Sequence, residues 1–241
     1  MFLNLPVMLV SVLFLSIGTS AATAGVSSPD TLNHGRRNIT DGETLVSSGG
    51  SFTLGFFSPG APSMRYLGIW FTASMDAMVW VANRDSPLKD TAGVLSINGT
   101  ATLLLLDGSG RTLWSSNTTG SDTSSSSSLA VVQLLESGNL VVSDQSSGAV
   151  LWQSFDHPSN TLIAGMRLGR NPQTGAEWSL TSWRSPTNPA TGDYRRTMDT
   201  RGLPDCVSWR GSAKKYRTHY VTARLSGHFD RGIFSKCPKS I

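Results

Sequence analysis

Between Phe52 and Phe155 the apolar positions fall in short runs separated by Gly, Ser, Asn and Asp, and no stretch keeps a helical period. Short runs bounded by turn residues are the signature of strands, so the pattern predicts an all-β body. The expected strands are Ser51–Phe57, Tyr66–Phe71, Ala77–Ala82, Val94–Ile97, Thr102–Leu106, Thr112–Ser115, Ala130–Leu134, Leu140–Val142 and Val150–Gln153. The turns between them are rich in Gly and Asp.

The pattern also repeats. Leu103-Leu104-Leu105-Leu106-Asp107, a Gly-Ser turn and Thr112-Leu113-Trp114-Ser115 are echoed by Leu140-Val141-Val142-Ser143-Asp144, a Ser-Gly turn and Val150-Leu151-Trp152-Gln153. Trp114 and Trp152 are 38 residues apart, and Trp80, in Val79-Trp80-Val81, precedes Trp114 by 34. A unit of this size cannot bury its apolar face alone, so the expectation is three small antiparallel sheets around a pseudo-threefold axis. The tryptophans recur with the unit rather than clustering locally, which favours core packing over ligand stacking. The Thr123 to Ser128 tract is low complexity and reads as a surface loop between units.

Composition narrows the class. Of 241 residues, 15% are charged and 39% hydrophobic, too polar for a polytopic membrane protein and too apolar for a disordered chain. The net charge of +4 is uneven: residues 25–156 hold 6 Lys/Arg against 11 Asp/Glu (−5), and residues 157–241 hold 14 against 5 (+9). The C-terminal cations stand singly or in pairs, Arg195-Arg196 and Lys214-Lys215, which suits a solvated surface and not a nucleic-acid groove.

Met1 to Ala24 carries no charged side chain; an apolar run from Val7 to Ile17 leads to Ala22-Thr23-Ala24, a small-x-small cleavage pattern. This predicts a signal peptide over 1–24, a secreted product starting near Gly25, and no membrane span after cleavage. Sequons at Asn38, Asn98 and Asn117 are then glycosylation candidates, and Cys206 and Cys237 could form one disulfide.

No catalytic set stands out. His34, His157, His219 and His228 lack metal-ligand spacing, and two cysteines cannot build a zinc site alone, so no metal or cofactor is expected. Asn83-Arg84-Asp85 imitates a kinase catalytic loop without the lysine, Asp-Phe-Gly or Gly-rich loop that phosphoryl transfer needs. Gly108-Ser109-Gly110 lacks a Lys-Ser/Thr and reads as a hairpin turn.

Several segments carry a family resemblance: Ile39-Thr40-Asp41-Gly42-Glu43-Thr44-Leu45-Val46-Ser47, Phe52-Thr53-Leu54-Gly55-Phe56-Phe57-Ser58-Pro59-Gly60, Val79-Trp80-Val81-Ala82-Asn83-Arg84, Glu136-Ser137-Gly138-Asn139-Leu140-Val141-Val142 and Leu151-Trp152-Gln153-Ser154-Phe155-Asp156-His157-Pro158. With Leu180-Thr181-Ser182-Trp183-Arg184-Ser185 and Gly202 to Trp209, they resemble the ectodomain of plant S-domain receptor-like kinases, whose first module is a bulb-type lectin domain. The resemblance implies a β-prism and a role in carbohydrate or cell-surface recognition, including pollen recognition, without enzymatic activity. It spans about Asp30 to Thr218 and breaks at His219-Tyr220-Val221, where the family pattern would continue differently. The expected organisation is a signal peptide, a lectin domain over 25–156, an incomplete second lectin-like unit over 157–218 at the start of an S-locus glycoprotein region, and a divergent tail over 219–241. A truncated ectodomain of this kind would take a glycan or a cell-surface protein as ligand, or pair with receptor ectodomains.

Monocot mannose-binding lectins of this fold use a Gln-x-Asp-x-Asn-x-Val-x-Tyr strand motif. In the third repeat Asn139 and Val141 fall on its Asn and Val, but Leu135, Ser137 and Ser143 replace Gln, Asp and Tyr. In the second, Asn98, Thr100, Thr102, Leu104 and Leu106 match none. Asn139 and Val141 are therefore the residual carbohydrate-binding candidates, with Asn139 expected to serve the turn after Gly138.

Overall fold

The computed structural model describes residues 29–33, 38–116, 130–171, 173–199, 205–218 and 233–234. Three short strands open it: β1 (Thr31–Leu32), β2 (Asn38–Thr40) and β3 (Thr44–Val46). Three meanders follow, β4 (Phe52–Phe57), β5 (Tyr66–Phe71) and β6 (Ser74–Val81), then β7 (Val94–Ile97), β8 (Leu103–Leu106) and β9 (Thr112–Ser115), then β10 (Ala130–Leu134), β11 (Leu140–Asp144) and β12 (Val150–Gln153). All nine strands read from the pattern are present; β6 begins at Ser74 rather than Ala77, and β11 runs on to Asp144.

Each opening strand completes a different meander. The sheets are β3-β4-β5-β6, β2-β7-β8-β9 and β1-β10-β11-β12, all antiparallel. One register row crosses each sheet and faces the common axis: Leu45, Leu54, Ile69 and Trp80 in the first; Ile39, Leu95, Leu105 and Trp114 in the second; Leu32, Val132, Val142 and Trp152 in the third. The nine aliphatic members of these rows are fully buried. Because side chains alternate between the faces of a strand, a one-residue slip in any opening strand would turn its single core residue to solvent.

The rows end in a ring of tryptophans. Trp80, Trp114 and Trp152 meet edge to face with centroids 5.6, 5.8 and 5.9 Å apart, the arrangement that places the positive ring edge against the negative face. Every one follows a single extra residue in its strand, Val79, Leu113 or Leu151, where the register shifts by one. Just beyond each ring a side-chain oxygen caps a buried amide: Asn83 Oδ1 accepts from Leu67 N at 2.9 Å, Ser116 Oγ from Leu103 N at 3.0 Å and Ser154 Oγ from Leu140 N at 2.9 Å. A β-prism with pseudo-threefold symmetry results.

A single-turn 3₁₀ helix (Ser154–Asp156) leads out of the prism to β13 (Gly169–Arg170), β14 (Glu177–Trp178), β15 (Leu180–Ser185), β16 (Asn188–Asp199), β17 (Asp205–Arg210), β18 (Ala213–Thr218) and β19 (Ile233–Phe234). Strands β15 to β18 form a fourth antiparallel sheet, and β13 lies between β14 and β19. Among the described residues, no helix is long and apolar enough to cross a membrane.

Candidate functional site

The positions of the strand motif lie on and beside the outer face of the third sheet, where Thr31, Gln133, Val141 and Gln153 share one register row. Val141 is buried there at 8% exposure, between two glutamines. Asn139 is buried too, and its amide is fully engaged: Nδ2 donates to Gln153 Oε1 at 2.9 Å, while Oδ1 accepts from Ser154 Oγ at 3.1 Å and Phe155 N at 3.2 Å. Gln153 Nε2 is in turn committed to Asp156 Oδ2, and Gln133 Nε2 to Asp30 Oδ2. The local chain is held for this purpose. Gly138 has a φ of +82°, and a Cβ there would fall 2.8 Å from the Phe52 ring. The Asn139 side chain thus fastens the 3₁₀ turn to β11.

The second sheet offers a different outer face. Asn98 folds back on its own turn, with Oδ1 accepting from Thr100 N, Thr100 Oγ1 and Thr102 N at 2.9 to 3.0 Å. Leu104 and Leu106 are half-buried. Of the sequons, Asn38 and Asn98 are exposed, and Asn117 lies outside the described residues. Cys206 is buried on β17 and disulfide-bonded; Cys237 lies outside the described residues.

The outer face of the first sheet is covered. Phe57, Tyr66, Trp70, Met78 and Val81 form a second apolar cluster with Trp183 of β15 packed against it, and the Phe57 and Trp183 rings stack at 6.5 Å. The Asn83-Arg84-Asp85 motif fixes this docking. Arg84 donates to the carbonyls of Pro189 at 2.9 Å, Thr181 at 3.1 Å and Ser182 at 2.7 Å, and Asp85 accepts from Thr191 N at 2.7 Å and Thr191 Oγ1 at 2.8 Å. Partial burial pushes the Asp85 carboxyl up, but the Thr191 bonds and the Arg84 and Arg184 charges outweigh it and hold the group below its usual range. No sequence signal distinguished this clamp, because its partners lie about a hundred positions downstream.

Two concavities among the described residues bear on function. One, of about 540 Å³, lies at the tryptophan ring and is lined by Trp80, Trp114, Trp152, Arg84 and His157 among others. Trp80 Nε1 donates to the His157 carbonyl at 2.9 Å, and the His157 ring stacks on Trp152. The other, of about 360 Å³, lies in the seam between the first sheet and β15.

The D-mannose binding lectin family model matches residues 77–184. The chain is 39% identical over 225 residues to the G-type lectin S-receptor-like serine/threonine-protein kinase B120 of Arabidopsis thaliana, covering 92% of this chain and 24% of that protein. It is 42% identical over 185 residues to the S-locus-specific glycoprotein S6 of Brassica oleracea, covering 75% of this chain and 41% of that protein. A solved monomeric monocot mannose-binding lectin from Gastrodia elata aligns at 22% identity over 52% of this chain and 96% of its own, with a TM-score of 0.39. The chain spans about a quarter of the length of the kinases it matches.

Proposed function

We propose that this chain, which carries a bulb-type lectin domain of the kind found in G-type lectin S-receptor-like kinases, is a secreted recognition module for glycans or glycosylated cell-surface partners and does no chemistry itself. The observation that carries this reading is the three-sheet prism, overlapped from β6 onward by the lectin match over 77–184. Export through a signal peptide over 1–24, glycans on the exposed Asn38 and Asn98, a Cys206–Cys237 disulfide and a division into 25–156, 157–218 and 219–241 belong to this proposal. So does the pollen recognition that the resemblance implies.

The strand-motif face is not where such a module would hold a monosaccharide. Asn139 has no free amide atom, and neither the carboxylate nor the tyrosine of the mannose motif is present. Losing a charge-assisted hydrogen bond costs about 1.5 to 3 kcal/mol, enough to erase a millimolar site. Calorimetric titration with mannose is expected to give no saturable heat at millimolar concentration. Saturable heat that a Val141→Lys substitution abolishes would return the site to this face.

A second reading follows from the fourth sheet, where Tyr194 and Tyr216 are 47% and 59% exposed. Exposed aromatics on a sheet face suit a protein partner, so the module would act by pairing with receptor ectodomains as a soluble decoy. Co-precipitation of receptor ectodomains without glycan binding supports it, and glycan binding without co-precipitation rejects it.

A further inference from the structure

The first sheet departs from its two equivalents at one place. All three carry the single extra residue before the tryptophan, but β6 has a second irregularity: Trp70 and Phe71 are consecutive on β5, yet they pair with Met78 and Ser74. Met75, Asp76 and Ala77 therefore loop out of the ladder. Bulges of this sort re-aim side chains beside binding sites. This one exposes Met75 and Asp76 next to Phe71, itself 37% exposed, at one wall of the 360 Å³ groove. The opposite wall comes from the second unit, with Asn160, Thr161, Trp183 and Pro186. The site is complete only because the Arg84 and Asp85 clamp docks β15 here.

Its chemistry selects a ligand. Phe71 and Trp183 are the kind of flat apolar surfaces on which the C–H face of a pyranose rests, and a volume above roughly 300 Å³ is that of a small-ligand site. Asp76 makes no ion pair or hydrogen bond with a described residue, so its carboxylate is open to hydroxyl donors. No Lys, Arg or His is among the lining residues, which disfavours a uronate or a phosphate.

We propose that the groove binds a short neutral oligosaccharide, with Asp76 and Asn160 taking hydroxyl groups and the Phe71 and Trp183 rings as its apolar walls. This rests on the lectin-like reading above and moves the binding site from the strand-motif face to the seam. The test is titration of the full secreted chain with mannopentaose, cellopentaose and tetragalacturonate, with the ¹⁵N-labelled indole signals followed by NMR. At least one neutral pentaose is expected to bind saturably and shift the Trp183 indole signal, and tetragalacturonate is expected not to bind. Asp76→Asn should weaken binding about tenfold, Trp183→Phe, which keeps a ring against Phe57, should weaken it, and Val141→Lys should leave it unchanged, all three with the wild-type far-ultraviolet circular dichroism. Binding that survives Asp76→Asn and Trp183→Phe but is lost in Val141→Lys would overturn the groove and leave the lectin-like reading standing. Absence of saturable binding to all three oligomers would overturn both.

Discussion

The prism and the fourth sheet are both built of four-stranded antiparallel meanders, yet they are held together by different forces. In the prism, three sheets turn one face each to a shared axis and enclose a cluster of 22 buried residues among those described. Among the described residues the fourth sheet shares no such axis and meets the first sheet through Trp183 of β15. The buried cluster it takes part in among the described residues is Leu168, Met198 and Cys206; its strands are laced by partly exposed pairs, Arg210–Asp193 at 3.5 Å, Lys214–Asp199 at 2.7 Å and Arg217–Asp205 at 3.3 Å, and Arg195 reaches Glu177 of β14 at 3.2 Å. Such pairs contribute little, about 0 to 1 kcal/mol each. Identical local topology therefore goes with a large shared core in one case and a small buried cluster in the other. The cause is whether inward rows from different sheets meet.

The largest expected effect follows from that contrast. Trp80→Ala removes one ring of the trio and the donor to the His157 carbonyl, and should destabilise the prism by about 3 to 5 kcal/mol, read as a lowered denaturant midpoint for the whole chain. Trp209→Ala is expected to cost much less, because that ring is half-buried and packs under the Lys214 ammonium instead of a core. Equal losses at the two positions would show that the fourth sheet has a core of comparable strength.

Next comes the clamp. Arg84→Ala leaves the carbonyls of Thr181, Ser182 and Pro189 without their cationic donor and should weaken docking by about 1.5 to 3 kcal/mol. Limited proteolysis should then cut within 180–218 sooner while a fragment containing the prism survives. Protection of the fourth sheet unchanged from wild type would mean that the Trp183 stack alone holds it. Asn139→Ala should follow at about 1 to 3 kcal/mol, the penalty for orphaning buried partners. Its effect belongs to the prism, so hydrogen exchange should quicken at Leu140 and Phe155 while β15 to β18 keep their protection.

Legibility in the sequence divides along similar lines. The nine meander strands were readable because each is a short apolar run or alternation closed by turn residues, and the tryptophan period carried the threefold symmetry. β1, β2 and β3 were not, since each offers a single inward residue, Leu32, Ile39 or Leu45, and the partner of Leu32 lies a hundred positions on at Val132. The resemblance implied a second β-rich unit over 157–218, but its strands could not be placed: β16 is 12 residues long and largely polar, so no period marks it. At the candidate sites the motif drew attention to Asn139 on the third repeat. That its amide is spent on Gln153, Ser154 and Phe155 depends on contacts 14 to 16 positions away. The seam groove depends on a register break in β6 and on the docking of β15, neither of which leaves a mark in composition.

The smallest expected effect separates two turns within the prism from a third of the same shape. Asp107 Oδ1 accepts from Ser109 N and Arg111 N at 3.0 Å each, and Asn98 Oδ1 does the same for Thr100 N and Thr102 N. Asp144 holds Ser146 and Ser147 in a similar way. Hydroxyl and amide donors, those of Ser109 and Ser146 foremost, pull the carboxyls of Asp107 and Asp144 from 3.8 to about 2. A carboxyl depressed on folding adds stability above its unfolded value, and the gain is lost as pH falls through the folded value. The window is therefore between about pH 4 and pH 2. Asp107→Asn/Asp144→Asn keeps the turn geometry, as Asn98 demonstrates, but removes the charge. Thermal melts should place the double variant slightly below wild type at pH 7, with the gap closing as pH is lowered to 2. A gap of the same size at pH 2 would mean that the turns are held by shape and not by the carboxylate charge.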